Sequence, residues 1–285
     1  MNQLQTGKKI TKLSDDPLVA VKGIGYRTEV TRIEQYQRNL NEVENWFDNT
    51  DSALDKATSA MQRIRELAIQ ANNGTNSDNE LTSIKAEVEQ LRSHLKDIVN
   101  TNVNDKYIFN GTNTGQAPFG TGQIYPEFTN DDVEIAISDE TVVKANLRGE
   151  VVFGDGNDGV FGVIDNFLKA LNLENEEIAD EDTLGTLDVD NEETKDISSS
   201  ISQLDASINK IINARADLGA RMNRLELVQN RLSEQEILAT KSLSDNEDVD
   251  YAEAITNLIT QESIHRAALS AGSRIIQPSL LDFLR

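Results

Sequence analysis

The sequence predicts a mainly α protein, an elongated antiparallel helical bundle formed by the N- and C-terminal regions with a small β-rich central insertion. Two observations predict this class. Strong heptad patterns of apolar residues occupy both ends of the chain, whereas the middle is rich in glycine. Aromatic residues make up only 5% of the 285 residues, which suits a helical bundle better than a compact enzyme. Such a chain is expected to fold back on itself.

Apolar residues recur in alternating steps of three and four along three segments. This spacing is typical of a coiled-coil seam, and helices with such a stripe must pack on one another or on other subunits. The third segment has one break in its seam, at Arg215. The seam positions are Ile33, Tyr36, Leu40, Val43, Phe47, Thr50, Leu54, Ala57, Met61, Ile64, Ala68 and Ala71, then Leu81, Ile84, Val88, Leu91, Leu95 and Ile98, and finally Ile197, Ile201, Leu204, Ile208, Ile211, Arg215, Leu218, Met222 and Leu225.

The first two long helices are delimited by capping signals. Asp16 is the expected N-cap of a helix that begins at Pro17 and ends in a loop of turn-forming residues at 72–79. Ser77 and Glu80 have the spacing of a capping box, so the second helix is expected to start there. The two helices should form an antiparallel hairpin.

The glycine-rich middle, residues 105–160, is predicted to hold short strands. Alternating or β-branched residues mark Val133–Ile137, Thr141–Leu147 and Val151–Phe153. We interpret the GDGNDG sequence at Gly154–Gly159 as a tight turn between strands, because it lacks the regular oxygen-ligand spacing of a calcium loop.

Helical patterns resume after this insertion. Phe161–Leu173 is predicted to be a short amphipathic helix, and Glu174–Glu193 holds ten acidic residues without Lys or Arg, which indicates a mobile, solvated connector. The third long helix is expected to begin near Asp190 or Thr194 and to end near Ser242.

A final helix completes the prediction. Ser244 and Glu247 match another capping box ahead of it. Its apolar stripe is interrupted by Glu262, His265 and Gly272, so the helix should be weak in isolation. We expect five segments: a terminal segment at 1–22, a helical bundle at 23–104 and 194–245, a β-rich outer domain with its acidic connector at 105–193, and a terminal assembly helix at 246–285.

Charge and composition exclude several function classes. The chain has 27 basic and 49 acidic residues, a net charge of −22, which argues against nucleic acid or an anionic membrane as a partner. It has no cysteine, which excludes disulfides, thiol catalysis and thiolate metal sites.

No other motif predicts catalysis, a cofactor or a metal site. His94 and His265 lack the companions of a metal site and are interpreted as surface residues of helices. The GIGYR sequence at Gly23–Arg27 lacks the third glycine of a nucleotide loop, and we interpret it as a flexible point in a helix. No nucleophile sits in a recognisable elbow, so we expect no enzyme activity.

Three segments resemble the bacterial flagellin superfamily. They are TGKKITKLSDDP at Thr6–Pro17, RADLGARMNRLE at Arg215–Glu226, and the terminal stretch Asp248–Arg285. Within the superfamily, the Pro17 that follows the Asp pair and the charged ending Gln277–Arg285 resemble the hook-associated protein 3 family, the hook-filament junction proteins. Members usually carry a further helical segment before the first motif. Only Met1–Gln5 precede the motif here, so we expect this chain to lack that segment.

The resemblance implies assembly rather than chemistry. It implies export through the flagellar secretion apparatus, an extracellular place in the bacterial flagellum, and terminal segments that become helical on docking. The implied partners are hook-associated protein 1, flagellin, copies of the chain in a ring, and a flagellar export chaperone. Flagellin itself is the near alternative, and an acidic extracellular binding module or glycan-active enzyme is the distant one.

Ten residues are the candidates for packing and assembly. Five apolar seam residues are expected to be buried in the bundle, and four residues of the final helix are expected to serve assembly and chaperone binding. Arg215 is expected to pair with an acidic group on a facing helix and so to fix the helix register. The candidates are Leu54, Ile64, Leu91, Arg215, Leu218, Leu225, Ile255, Leu258, Leu269 and Ile276.

Overall fold

A computed structural model describes most of the chain. The described residues are 2–10, 12, 14–73, 76–120, 122–129, 131–173 and 197–276. They fall into two compact units, one of Met1–Gln35 with Asn230–Arg285 and one of Tyr36–Gln229. The predicted acidic connector, the predicted start of the third long helix and the charged ending 277–285 lie outside the described residues.

Helices dominate the described chain, as predicted, and the strands are few and short. The helices are α1 (Asn2–Thr6), α2 (Pro17–Ala71), α3 (Asp78–Val99), α4 (Gly149–Phe153), α5 (Val160–Leu173), α6 (Ile197–Glu247) and α7 (Tyr251–Ile276). The strands are β1 (Asn102–Val103), β2 (Lys106–Tyr107), β3 (Glu134–Ser138) and β4 (Thr141–Lys144).

Both predicted helix starts of the N-terminal region are confirmed. The Asp16 carboxylate accepts hydrogen bonds from the backbone N–H groups of Leu18 and Val19 at 3.0 and 3.1 Å. At the start of α3, the Ser77 backbone N–H donates to Glu80 Oε2 at 2.8 Å. This hydrogen bond also lowers the pKa of the Glu80 carboxyl, since it favours the ionised form.

The second unit is built around α2, α3 and α6. Ion pairs join α2 to α6 in this unit, among them Asp51 with Arg215 and Arg65 with Asp205. Because the residue number rises along α2 while it falls along α6, the two helices are antiparallel. The apolar seams meet between the helices, and the core includes Leu40, Val43, Phe47, Leu54, Ala57, Met61, Ile64, Ala68, Leu81, Ile84, Val88, Leu95, Leu204, Ile211 and Leu218.

The insertion contains two separate two-stranded antiparallel sheets, β1 with β2 and β3 with β4. Its core is aromatic: the Phe109 and Phe153 rings meet edge to face at 5.2 Å, as do those of Phe119 and Phe161 at 4.7 Å. A bidentate ion pair between Arg92 of α3 and Asp165 of α5, at 2.6 and 3.0 Å, fixes this core to the bundle.

One strand prediction for the insertion is wrong, and with it the prediction that the following turn joins two strands. Val151–Phe153 forms the end of helix α4 and not a strand, because Val152 and Phe153 are both buried and a single helical turn places them in the core. The turn at Gly154–Gly159 therefore joins two helices. Gly154 adopts a φ of +69°, and a Cβ there would lie 2.8 Å from the Cα of Gly159, so the turn requires glycine.

The predicted capping box at the start of the last helix is also wrong. Helix α6 continues through Ser244 to Glu247, and the Ser244 hydroxyl donates to Asp248 Oδ2 at 2.6 Å. Asp250 caps α7 instead, since its carboxylate accepts the backbone N–H of Ala252 at 2.9 Å. The carboxylate of Glu247 is engaged elsewhere.

Candidate assembly surfaces

Four of the five apolar bundle candidates lie fully in the core of the second unit. Leu54, Ile64 and Leu218 have no exposed surface, and Leu225 is almost as buried. Leu91 of α3 is only partly buried. The heptad period alone predicts that these positions are buried, because residues in a heptad seam face the neighbouring helix.

Arg215 has the acidic partners that its position in the seam predicted. Its guanidinium donates two hydrogen bonds to Asp51, at 2.7 and 3.1 Å, and a third to Asp55 Oδ1 at 2.6 Å. The two carboxylates raise the pKa of the arginine far above its already high ordinary value, so it stays charged. The planar guanidinium joins two successive turns of α2, which suits a residue that fixes register.

A second ion pair between α2 and α6 has no signal in the heptad pattern. Arg65 of α2 contacts both oxygens of Asp205 of α6. Neither residue breaks the heptad seam, since both lie beside it, and so neither stood out in the pattern. One arginine on each helix therefore ties the register of α2 and α6 at two places.

In the first unit, an extended segment pairs with the turn between α6 and α7. The backbone N–H of Lys9 donates to the carbonyl of Glu247 at 2.6 Å, and that of Val249 donates to the carbonyl of Gly7 at 2.9 Å. Lys8 Nζ lies 2.7 Å from Asp248 Oδ1. We call Gly7–Lys9 with Glu247–Val249 the clasp. It ties the N-terminal segment to the point where one long helix ends and the next begins.

A buried carboxylate lies at the centre of the clasp. The side chain of Glu247 is only 6% exposed, and its Oε2 lies 2.6 Å from Arg27 Nη2 and 3.4 Å from Lys8 Nζ. A Cβ at Gly23 would lie 2.4 Å from Glu247 Oε1. Gly23 and Arg27, one turn apart on α2, thus form the binding site for the Glu247 carboxylate. The GIGYR sequence is a close-approach site in a continuous helix and not a flexible point.

Helix α7 presents apolar side chains that the described chain leaves largely uncovered. Ile255 and Leu269 are exposed, the latter by 62%, and Leu258 is partly buried. Ile259 and Ile264 are exposed as well, although they lie outside the predicted stripe. Ile276 is the last residue of the helix.

A second group of exposed apolar residues lies in the same unit. The first turns of α2 carry Leu18, Val21 and Ile24 at intervals of three, so they share one side of the helix, and each is more than half exposed. Grouped apolar residues on a helix surface mark a contact site for another protein more often than scattered ones do.

Groups suited to metal binding or membrane insertion are not found in the part of the chain that the structure describes. It contains no cluster of three or more His, Asp or Glu residues placed to hold a metal ion. His94 and His265 both lie exposed on helices. None of the described helices combines the length and the apolar character needed to cross a bilayer.

Comparison with known families defines the class of protein. The model of the bacterial flagellin N-terminal helical region matches residues 1–114, and that of the flagellin C-terminal helical region matches residues 201–284. Together they cover more than half of the chain and leave out most of the insertion. The chain therefore belongs to the flagellin superfamily. It is a structural component of the flagellum and not an enzyme.

Among curated relatives, hook-associated proteins and flagellins both match over nearly the whole chain. Flagellar hook-associated protein 3 of Escherichia coli K12 is 26% identical, over 94% of this chain and 87% of that protein. The flagellin of Listeria monocytogenes is also 26% identical, over 98% of this chain and 88% of that protein.

Solved structures share the fold. Hook-associated protein 3 of Legionella pneumophila superposes with a TM-score of 0.64 at 15% identity, over 77% of this chain and 97% of that one. FlgL of Bacillus cereus gives 0.61 at 22% identity, over 77% and 99%.

Proposed function

We propose that this chain joins the hook of the bacterial flagellum to its filament by helical co-assembly. The observation that carries the proposal is the match to hook-associated protein 3 relatives over nearly their full length. The fold supports it, because FlgL of Bacillus cereus and hook-associated protein 3 of Legionella pneumophila each superpose on 77% of this chain. On this proposal the hook side is hook-associated protein 1, and the filament side is flagellin.

The exposed helix α7 is the proposed assembly element. Its apolar residues, with Leu18, Val21 and Ile24 of α2, bury little surface within the described chain. Contact with neighbouring subunits would bury these side chains and so stabilise the assembly. In this proposal residues 23–104 and 194–245 form the wall of a ring, residues 105–193 face outward, and 1–22 and 246–285 are the terminal assembly segments.

The same helix is proposed to bind an export chaperone before assembly. An amphipathic helix with exposed Ile255 and Leu269 and a partly buried Leu258 fits an apolar groove on another protein. Export through the flagellar secretion apparatus would then deliver the chain to its extracellular site. The absence of cysteine suits such a route, since no disulfide has to form or break.

Deletion of the gene tests the junction role. Electron microscopy of cells without it should show hooks that lack filaments, with flagellin shed into the medium. Complementation with the intact gene should restore filaments. Filaments of normal length on cells that lack the gene would contradict the proposal.

A flagellin role is the second candidate, because a flagellin matches with the same identity over even more of the chain. A flagellin should polymerise into long filaments by itself, whereas a junction protein should form at most short rings. Purified protein seeded with filament fragments separates the two: growth of filaments would favour flagellin.

A further inference from the structure

A basic surface lies where the insertion meets α6, within the second unit. A cavity of about 370 Å³ opens there, lined by Lys144 and Arg148 of the insertion and by Lys210 and Arg221 of α6. We call these four cations the basic surface. The lining also includes two carboxylates, Asp132 and Asp217.

The two carboxylates leave this surface with excess positive charge. Asp132 is shared, since Lys144 contacts its Oδ2 and Arg148 Nε lies 3.7 Å from its Oδ1. Arg221 Nη2 pairs with Asp217 at 2.7 Å. Lys210 is exposed and has no ion pair among the described residues. Four cations against two carboxylates give a local charge of about +2.

The basic surface is held in place by the fold. Lys210, Asp217 and Arg221 are spaced by seven and four residues, so they lie on one side of α6. Arg221 Nη1 also donates to the carbonyl of Asn146 at 3.4 Å. Asn146 is buried, and its amide bonds to the backbone of Val133 and Asp131 fix the end of the insertion. A partner would find cations that are already positioned.

The rest of the chain has the opposite charge. The net charge of the whole chain is −22, so two copies repel each other unless a cationic surface of one faces an acidic surface of the other. At physiological salt, charges are screened beyond about 8 Å, so charges in direct contact decide this balance.

We propose that the basic surface binds an acidic surface of a second copy of this chain, as the lateral contact between neighbours in the assembly. The proposal rests on the proposed function, because only an assembled chain has such neighbours. A contact between two different surfaces that lie apart on the chain is heterologous, and heterologous contacts build rings or helices rather than closed dimers.

Site-specific cross-linking tests the contact. Asn213 is exposed beside Lys210 and lines the cavity. Benzoylphenylalanine in place of Asn213 is irradiated in flagellated cells that express two differently tagged copies. The expected product joins the two tags, and Lys210→Glu with Arg148→Glu should remove most of it. The matched control is Lys56→Glu with Lys169→Glu, which changes the charge equally at exposed lysines away from the cavity and should leave the product unchanged.

The outcomes separate this contact from the junction role. A product that joins the chain only to another protein, or no product at all, would overturn the proposal even where deletion of the gene removes filaments. Equal loss of the product in the control variant would also overturn it, since charge in general would then be responsible. Circular dichroism of both variants checks that each folds.

Discussion

Leu218 and Leu227 lie on the same helix in opposite surroundings, and they form a matched pair for testing the core. Leu218 is completely buried, whereas Leu227 is 71% exposed. Leu218→Ala should lower the free energy of unfolding by about 2–5 kcal/mol, because it leaves a cavity. Leu227→Ala should change it by less than about 0.5 kcal/mol. Chemical denaturation measures both, and equal effects would contradict the assigned core.

Arg215 offers a test of the register role at the level of one ion pair. The guanidinium and Asp51 are both more than one-third exposed, so solvent screens the pair, and a double-mutant cycle of Arg215→Ala and Asp51→Ala should give a coupling of about 0.5–1 kcal/mol. The expected phenotype is therefore in assembly more than in stability. If Arg215→Ala changed neither stability nor junction assembly, the register role would be wrong.

At the scale of elements, the clasp should depend on pH. Its contact with Lys8 holds the pKa of Asp248 below the ordinary 3.8, and Asp248 raises the pKa of Lys8 above the ordinary 10.5. The contribution of Asp248 is present above pH 3.8 and is lost as pH falls through its lowered pKa. That of Lys8 is complete below pH 10.5 and is lost as pH rises through its raised pKa.

Hydrogen exchange of the clasp amides measures this dependence. Protection of the Lys9 and Val249 amides, corrected for the intrinsic exchange rate, should be highest between these limits and fall at both ends. Asp248→Asn is the control, since it keeps the shape but removes the charge. It should abolish the acid limb and also weaken the alkaline limb, because Asp248 is the main cause of the raised pKa of Lys8. An unchanged acid limb in that variant would show that another group is responsible.

Deletion of residues 251–285 tests α7 as a separate element. Because most of its described side chains are exposed, its loss should leave the thermal unfolding of the second unit unchanged while export-chaperone binding disappears. Calorimetry and a binding assay with the purified chaperone measure the two effects. Collapse of bundle stability with chaperone affinity intact would instead make α7 a fourth helix of the bundle.

The elements that the sequence predicted well are those specified by local signals. The starts of α2 and α3 follow from Asp16 and Glu80, whose carboxylates accept backbone hydrogen bonds at the first turn of each helix. The wrong cap at Ser244 has a non-local cause. Glu247 binds Arg27, far away in sequence, and nothing near Glu247 shows that its carboxylate is already engaged.

At the scale of the whole molecule, the heptad seams predicted that the two ends of the chain pair, and the family models confirm that both ends are flagellin helical regions. The insertion was harder to predict. Val151–Phe153 has the composition of a strand, yet the burial of Phe153 beside Phe109 makes it a helical turn. Tertiary packing overrides a weak β preference over such a short segment.

The basic surface could not be predicted from the sequence either, because it too depends on tertiary packing. Lys144 and Arg148 come from the insertion and Lys210 and Arg221 from α6, and only the fold brings them to one cavity. Along the sequence the four cations lie in two separate stretches of a chain whose net charge is −22.

Immunogold labelling of intact flagella tests the junction role most directly. An antibody is raised against the insertion, which lies mostly outside the two matched flagellin regions and so should not cross-react with filament subunits. The account predicts gold at a single position, the boundary between hook and filament, on every flagellum. Gold along the length of the filament would contradict it and would identify the chain as a filament subunit.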